Sequence, residues 1–489
     1  MTQAALFRTD ASRDIGGGHL RRCLTIADEL AKRGWRCIFA SCAESGTVVP
    51  ALSSSGYEWV LVPENGMPSG DQLTDLDPLD LVIFDHYGLA VDEETMFRSQ
   101  GVRVLVLDDL ADRPHDCDLL VDPTLGRSEE DYRGLLPADA RIMAGPDNAP
   151  LRPRFRELRA ETLERRRQMD RPHRLLISLG SFDVRGLLPT LTEAVQRVDL
   201  DLVVDVVVGS GGSDLPPLSE SFTLHGYVED MAGLMAQADL AIGAGGTSSW
   251  ERCCLGLPTL IVNIADNQDM ITAQLVTVGA AIDLGHWQDL AIDKVTCALE
   301  EACTQPEKLQ SISEKAAAIC DDWGTLRILP RLYEANTNEG NSVTLRLVEE
   351  ADCAMLFHWQ QLPGIRDFSR TPAPPTWPEH EEWFEKKLGN DRDCFWIIQI
   401  EGRDCGVLRL DSTELDDVRE VSIFVLPEYH GKGVARGSLE LASRIAPARR
   451  LEATVLDGNL PSRKLFEAHG FMRECRNKYI KDLPTVVRQ

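Results

Sequence analysis

Aliphatic runs that stay apolar for several residues, each followed by a helix-patterned stretch, recur along the first two thirds of the chain and leave few folds open. The runs ALFRTD, RCIFASC, WVLVP, LDLVIFDHYG, VRVLVLDD and DLLVDP come first. Strands so continuous in Val, Leu and Ile have no polar face to turn to water, so helices must cover both sides of their sheet. A doubly wound parallel sheet is therefore expected over residues 1–150. A charged connector, residues 151–170, precedes a second series: HRLLISLG, LDLVVDVVVG, FTLHG, ADLAIGAGG and LPTLIVNIA. This predicts a second parallel-sheet domain over 151–335. The polar segment NTNEGNS marks a boundary, and a third domain is expected over 342–489. There SVTLRLVE, two helical stretches near 351–361 and 379–387, and the closely spaced runs CFWIIQIE, CGVLRLD and REVSIFVLP indicate an α+β layout. A length of 489 residues, too long for one hydrophobic core, agrees with three domains.

A formal net charge of −27 argues against general nucleic-acid binding, because a polyanion would be repelled. Any anionic ligand must be held by local groups. One such region is the stretch from His430 to Gln489, with twelve Lys or Arg against six Asp or Glu. No apolar run is long enough to span a bilayer, and MTQAALFRTDASRD lacks the basic and apolar segments of a secretory signal, so a cytoplasmic location is expected. Thirteen cysteines without a CxxC pair read as reduced, buried thiols.

Open parallel sheets bind ligands beyond the carboxyl ends of their strands, and two glycine-rich turns occur at such ends. IGGGH contains Gly17 and Gly18 and runs through His19 into a helix. So small a turn lets backbone N–H groups approach an anion, and the helix N-terminus favours negative charge. The same location disfavours an imidazolium, so His19 is expected to be a neutral base. The second turn, GAGGTSSWERCCLGLP, offers Gly245, Gly246, Thr247, Ser248 and Ser249 to a diphosphate, and Glu251 to both hydroxyls of a ribose. The DxD pairs Asp75/Asp77, Asp116/Asp118 and Asp199/Asp201 lie in no phosphate-binding context, so no metal is expected.

Together with DHYG, LDDLADRPHDCDLLVDP and IADNQ, these turns resemble the nucleotide-sugar hydrolases of pseudaminic acid biosynthesis. The resemblance covers about 1–335. It implies a GT-B arrangement of two Rossmann-like domains and release of UDP from a UDP-linked diacetamido-trideoxy-altrose. It also implies that His19 handles the attacking water and Glu251 the ribose, that Asp10, Asp85, His86 and Tyr87 lie toward the sugar, and that Asn267 and Gln268 belong to the substrate site. GSFD at 180–183 departs from the usual doubled glycine. Direct attack by water opposite UDP would invert the anomeric centre.

In the third domain, His430, Gly431, Lys432, Gly433, Val434 and Ala435 resemble the Q/R-x-x-G-x-G/A loop of GNAT N-acetyltransferases, with His430 in place of Gln or Arg. That resemblance, over 342–482, implies acetyl-CoA as cosubstrate, with Val425, Arg436, Asn459 and Ser462 also in its site. Glu420 stands where relatives carry a base. Phe466 replaces their usual tyrosine acid, which leaves Tyr479 as a candidate. RDFSR (366–370) and HEEWF (380–384) are similar to the substrate side of the pathway's acetyltransferase. One polypeptide performing both steps on a UDP-amino sugar is the leading reading. Its rivals are a GT-B glycosyltransferase and a GNAT domain that only senses acyl-CoA.

Overall fold

The computed structural model describes residues 3–483, apart from 77, 210–214, 334, 391 and 416. The last six residues of the basic stretch, and Asp77 of one DxD pair, lie outside the described residues. The described chain forms two compact units, one reaching Thr325 save the stretch 31–34, the other from Leu326 onward.

The first unit holds two parallel sheets. Strands β1 (Ala4–Thr9), β2 (Arg36–Ser41), β3 (Glu58–Leu61), β4 (Leu81–Asp85), β5 (Arg103–Leu107), β6 (Leu119–Asp122) and β7 (Arg141–Ala144) lie in the order β3-β2-β1-β4-β5-β6-β7. β8 (Arg174–Ser178), β9 (Val203–Val207), β10 (Phe222–His225), β11 (Leu240–Ala244), β12 (Thr259–Asn263) and β13 (Ile282–His286) follow as β10-β9-β8-β11-β12-β13. Leu6, Ile38, Val82, Val104 and Leu120 pack on one face of the first sheet, while Phe7, Phe39, Ile83 and Leu105 are buried on the other. The expected Rossmann-like burial on both faces is present. In each sheet the strand order reverses beside the first strand, between β1 and β4 and between β8 and β11, opening a crevice at the carboxyl ends. Both glycine turns sit at those crevices.

The charged connector is a structural brace. It forms a helix, Pro153–Arg167, that buries Phe155, Thr162 and Arg166. Arg166 donates to the carbonyls of Met235, Ala238 and Leu255. Arg159 donates to those of Ala317, Cys320 and Cys254. Two arginines thus cap the carbonyl ends of three helices, where cations are stabilising. The thiols are also less uniform than expected: all thirteen cysteines are free, and Cys297 and Cys475 are exposed.

The second unit is built on a sheet ordered β14-β15-β16-β17-β18-β19-β21-β20. Its strands are β14 (Ala335–Asn336), β15 (Ser342–Leu347), β16 (Cys394–Ile400), β17 (Arg403–Ser412), β18 (Val418–Val425), β19 (Arg450–Thr454), β20 (Met472–Arg473) and β21 (Lys478–Asp482). Its pairs are antiparallel except β18 with β19. That pair holds only from Val418 with Arg450 to Glu420 with Glu452, although β18 continues to Val425. Beyond Glu420 the two strands part and leave a wedge. Among the described residues, no helix of the chain is long and apolar enough to cross a membrane.

Candidate active sites

His19 is the second residue of the helix Gly18–Lys32, and its side chain is buried. Its Nδ1–H donates to Asp85 at the end of β4. A ring nitrogen facing a carboxylate carries the proton, so Nε2 is left as the acceptor. Arg22, one helical turn on, grips the same carboxylate through Nε at 2.6 Å and Nη2 at 2.7 Å. Burial would raise the Asp85 pKa, but Arg22 and His19 outweigh it and hold the carboxyl well below the usual range. Arg22 also reaches Asp109 at 3.3 Å, which accepts from the Tyr87 hydroxyl at 3.0 Å. The Tyr87 ring meets His19 edge-on, with centroids 4.6 Å apart.

Asp10 and His86 form a second pair behind the first. Gly88 N–H donates to His86 Nδ1 at 2.9 Å, which fixes the proton on Nε2, and Nε2 donates to Asp10 at 3.0 Å. Asp10 also accepts from Arg8 at 2.9 Å and Cys42 N–H at 2.7 Å. Burial opposes its charge, yet His86 and Arg8 keep its carboxyl far below the ordinary value.

The two glycine turns face each other. A Cβ on Gly18 would lie 2.5 Å from Thr247 Oγ1, and one on Gly17 would lie 2.7 Å from Ser181 Oγ. Any larger residue would have to displace these side chains. Among the described residues, no backbone carbonyl accepts from the N–H groups of Gly17, Gly246 or Thr247, so these donors are free for an anion. Gly245 and Gly246 lie against Gln268, and Asn267 donates to the Tyr87 hydroxyl at 3.0 Å. Glu251 is partly exposed, 3.5 Å from Arg152. Arg252 is buried beneath the turn and bonds Ser248, Ser249 and the Ala244 carbonyl. Phe182, in the segment that departs from a doubled glycine, bridges to Gly209 and lies under Arg13.

In the second unit, β18 ends at Val425, and His430 Nε2 closes on the Val425 carbonyl at 2.8 Å. Gly431 and Gly433 adopt φ of 75° and 87°, a region that favours glycine. The helix Val434–Ile445 follows. Among the described residues, no backbone carbonyl accepts from Gly431, Lys432 or Gly433, and Lys432 and Arg436 are exposed. The loop therefore has the donors and charge that a pyrophosphate needs. Asn338 bonds its far side: its N–H donates to the Lys432 carbonyl at 2.8 Å and its amide to Gly431 at 3.2 Å. Glu420 accepts from Arg370 and, at 2.8 Å, from Thr454, both on Oε1. Tyr479 is buried opposite Ala453. Asn459 caps the helix Leu460–Ala468 by accepting from Ser462 N–H at 3.1 Å.

Residues 342–472 match the acetyltransferase (GNAT) domain family. The chain is 31% identical over 137 residues to YwnH of Bacillus subtilis, named as an acetyltransferase, spanning 26% of this chain and 83% of that protein. The C-terminal part of this chain belongs to the GNAT family. The positive-φ Gly431–Gly433 loop lies in the stretch that the sequence likened to the GNAT loop, and the wedge beyond Glu420 is added by the structure.

Residues 194–321 match the glycosyltransferase family 28 C-terminal domain. Over 285 residues the chain is 24% identical to a UDP-2,4-diacetamido-2,4,6-trideoxy-beta-L-altropyranose hydrolase of Campylobacter jejuni, covering 57% of this chain and 98% of that enzyme. The region before the GNAT domain is homologous to it, and its paired parallel sheets have the GT-B fold. An uncharacterised protein of Methanocaldococcus jannaschii is 24% identical over 504 residues, aligning with 96% of this chain and 97% of its own length.

Of the residues singled out in the sequence, His19, Asp85, Tyr87, Gly17, Gly18, Thr247, Gly245, Gly246, Asn267 and Gln268 come together. Asp10 and His86 bond each other, and Glu251 faces Arg152. In the GNAT domain the loop residues and Val425 cluster, whereas Tyr479 sits on the side of β19 away from β18. Sequence reading missed Arg22, Asp109, Arg252 and Asn338. Arg22 and Arg252 had a signal, since each lies three or four residues from a noted residue on one helix. The other two meet their partners only through the fold.

Proposed function

We propose that this chain catalyses two consecutive steps on a UDP-linked amino sugar: acetylation of its 4-amino group from acetyl-CoA, then inverting hydrolysis to the free sugar and UDP. The observation that carries the second step is His19, oriented by Asp85 and separated only by Gly18 from Thr247 of the facing glycine turn. In this reading His19 Nε2 takes a proton from water as the water oxygen bonds the anomeric carbon. The bond from that carbon to the diphosphate oxygen breaks, and UDP departs with the electron pair. Gly245, Gly246, Thr247 and Ser248 receive the diphosphate, whereas Ser249, expected there from the sequence, is buried with its hydroxyl held by Arg252 and the Ala244 carbonyl; Glu251 takes the ribose once it turns from Arg152. No metal is assigned, and full UDP release in EDTA is expected.

For acetylation, acetyl-CoA supplies an activated acetyl group as a thioester. Val425, His430 to Arg436, Asn459 and Ser462 bind the cosubstrate and Glu420 takes the proton from the sugar amine; Tyr479, expected from the sequence as the acid, is buried across β19 from β18 and is not assigned that role. The match to an acetyltransferase family and the positive-φ glycine loop support this half. The assigned domains are 1–150, 151–335 and 342–489, in the cytoplasm.

The test supplies the purified chain with the 4-amino UDP-sugar and acetyl-CoA. CoA and UDP should both appear, and CoA without UDP would leave only the acetyltransferase. His19→Ala should stop UDP release and spare acetylation, and Gly433→Asp should do the reverse when acetylated substrate is given. The match to a glycosyltransferase family favours one second reading, transfer of the sugar to an acceptor. Release of free sugar in buffer without acceptor rejects it.

A further inference from the structure

Arg252 is 3% exposed, and among the described residues no carboxylate pairs with it. Its neighbour Glu251 is turned to Arg152 instead. A buried guanidinium is costly unless something balances its charge. Burial does pull its pKa down, to about 10, yet leaves it protonated at neutral pH. Nη2 donates to the Ala244 carbonyl at 2.6 Å and Ser249 Oγ at 3.0 Å, Nη1 donates to Ser248 Oγ at 3.0 Å, and Nε has no partner.

These bonds set the direction of a proton. Arginine cannot accept a hydrogen bond, so Ser248 Oγ must accept from Nη1, and its own O–H proton is free to point away from the guanidinium. Ser248 is partly exposed and opens the helix beside Thr247, so its hydroxyl is within reach of a ligand at the turn. The chain also makes room for the cation, because a Cβ on Gly243 would lie 2.6 Å from Nη1 and 2.8 Å from Cζ. Gly243 belongs to the guanidinium, whereas Gly246 and Thr247 carry the free N–H groups.

We propose that Arg252 is a positioning residue for the departing diphosphate: through Ser248 it aims a hydroxyl proton at the anion, and the anion balances its buried charge. This rests on the reading of the first site as a UDP-sugar site. A positive charge fixed in a low-dielectric surrounding attracts a developing anion more strongly than an exposed one, and needs no reorganisation when the bond breaks.

Calorimetry on the full chain with UDP and with uridine separates this from a structural role. Arg252→Met and Ser248→Ala should each weaken UDP binding on the order of ten- to a hundred-fold and leave uridine binding unchanged. Arg252→Lys should recover part of the loss, and the double variant should bind UDP no worse than Arg252→Met, because one residue acts through the other. UDP and uridine affinities falling together, or strictly additive losses, would overturn the inference. If wild type prefers UDP and Ser248→Ala does not change that preference, the inference alone fails, whether or not Arg252→Met folds. A wild type that binds UDP no better than uridine would overturn the site reading along with it.

Discussion

Asp85 is fully buried and holds both His19 and Arg22. Replacing it with Asn removes the charge that fixes the His19 tautomer and leaves Arg22 with only Asp109. Asp85→Asn should lower kcat for UDP release by about a hundred-fold or more and destabilise the fold by about 3–5 kcal/mol. Steady-state kinetics and urea unfolding check both, and a variant with wild-type kcat refutes the dyad. Asp322 illustrates the opposite sign. Burial, only partly opposed by Arg156, raises its pKa to about 8. The folded chain therefore keeps a proton that the unfolded chain releases near pH 4, and stability falls by about 1.4 kcal/mol per unit as pH rises from there toward 8. Asn keeps an acceptor for the Arg156 N–H and tolerates the φ of 63°. Asp322→Asn should thus gain on wild type from about pH 5 to about pH 8 and no further above it. A pH-independent gap in unfolding free energy contradicts this. At this scale the sequence marked His19, Asp85 and Tyr87 but not their pairing, and it missed Arg22: Asp85 is 66 positions from His19, and only the return of β4 beside β1 brings it to the ring.

Elements were more legible than contacts. Continuous aliphatic runs located most strands of the two parallel sheets, because burial on both faces leaves a local mark. β7 and β13 were missed because their residues are mostly half-exposed and mix polar side chains into short runs. The arginine-rich helix Pro153–Arg167 read only as a charged connector, since residues that cap distant carbonyls leave no apolar stripe. NTNEGNS read as a boundary for a similar reason, yet Asn336 is in β14 and Asn338 bonds the glycine loop. A Cβ on Gly433 would lie 2.6 Å from Asn338 Oδ1, so the two are packed tightly. Asn338→Ala should therefore raise KM for acetyl-CoA several-fold, about the loss of the one side-chain hydrogen bond to Gly431, with UDP release from acetylated substrate unchanged. A KM equal to wild type would mean that the loop holds its shape without this contact.

Across the molecule, an acidic chain is read as binding two polyanionic compounds, at sites supplied by local backbone donors and a few cations. The GT-B and GNAT folds explain where such donors gather, but the reactions belong to the site residues. The central claim is that water activated at His19 displaces UDP from the anomeric carbon. Hydrolysis of the diacetamido UDP-sugar in 18O-labelled water, with no acceptor present, tests it most directly. The account predicts UDP free of label, since the carbon–oxygen bond breaks and diphosphate oxygens do not exchange; label in the UDP, or no release of UDP at all, would contradict it.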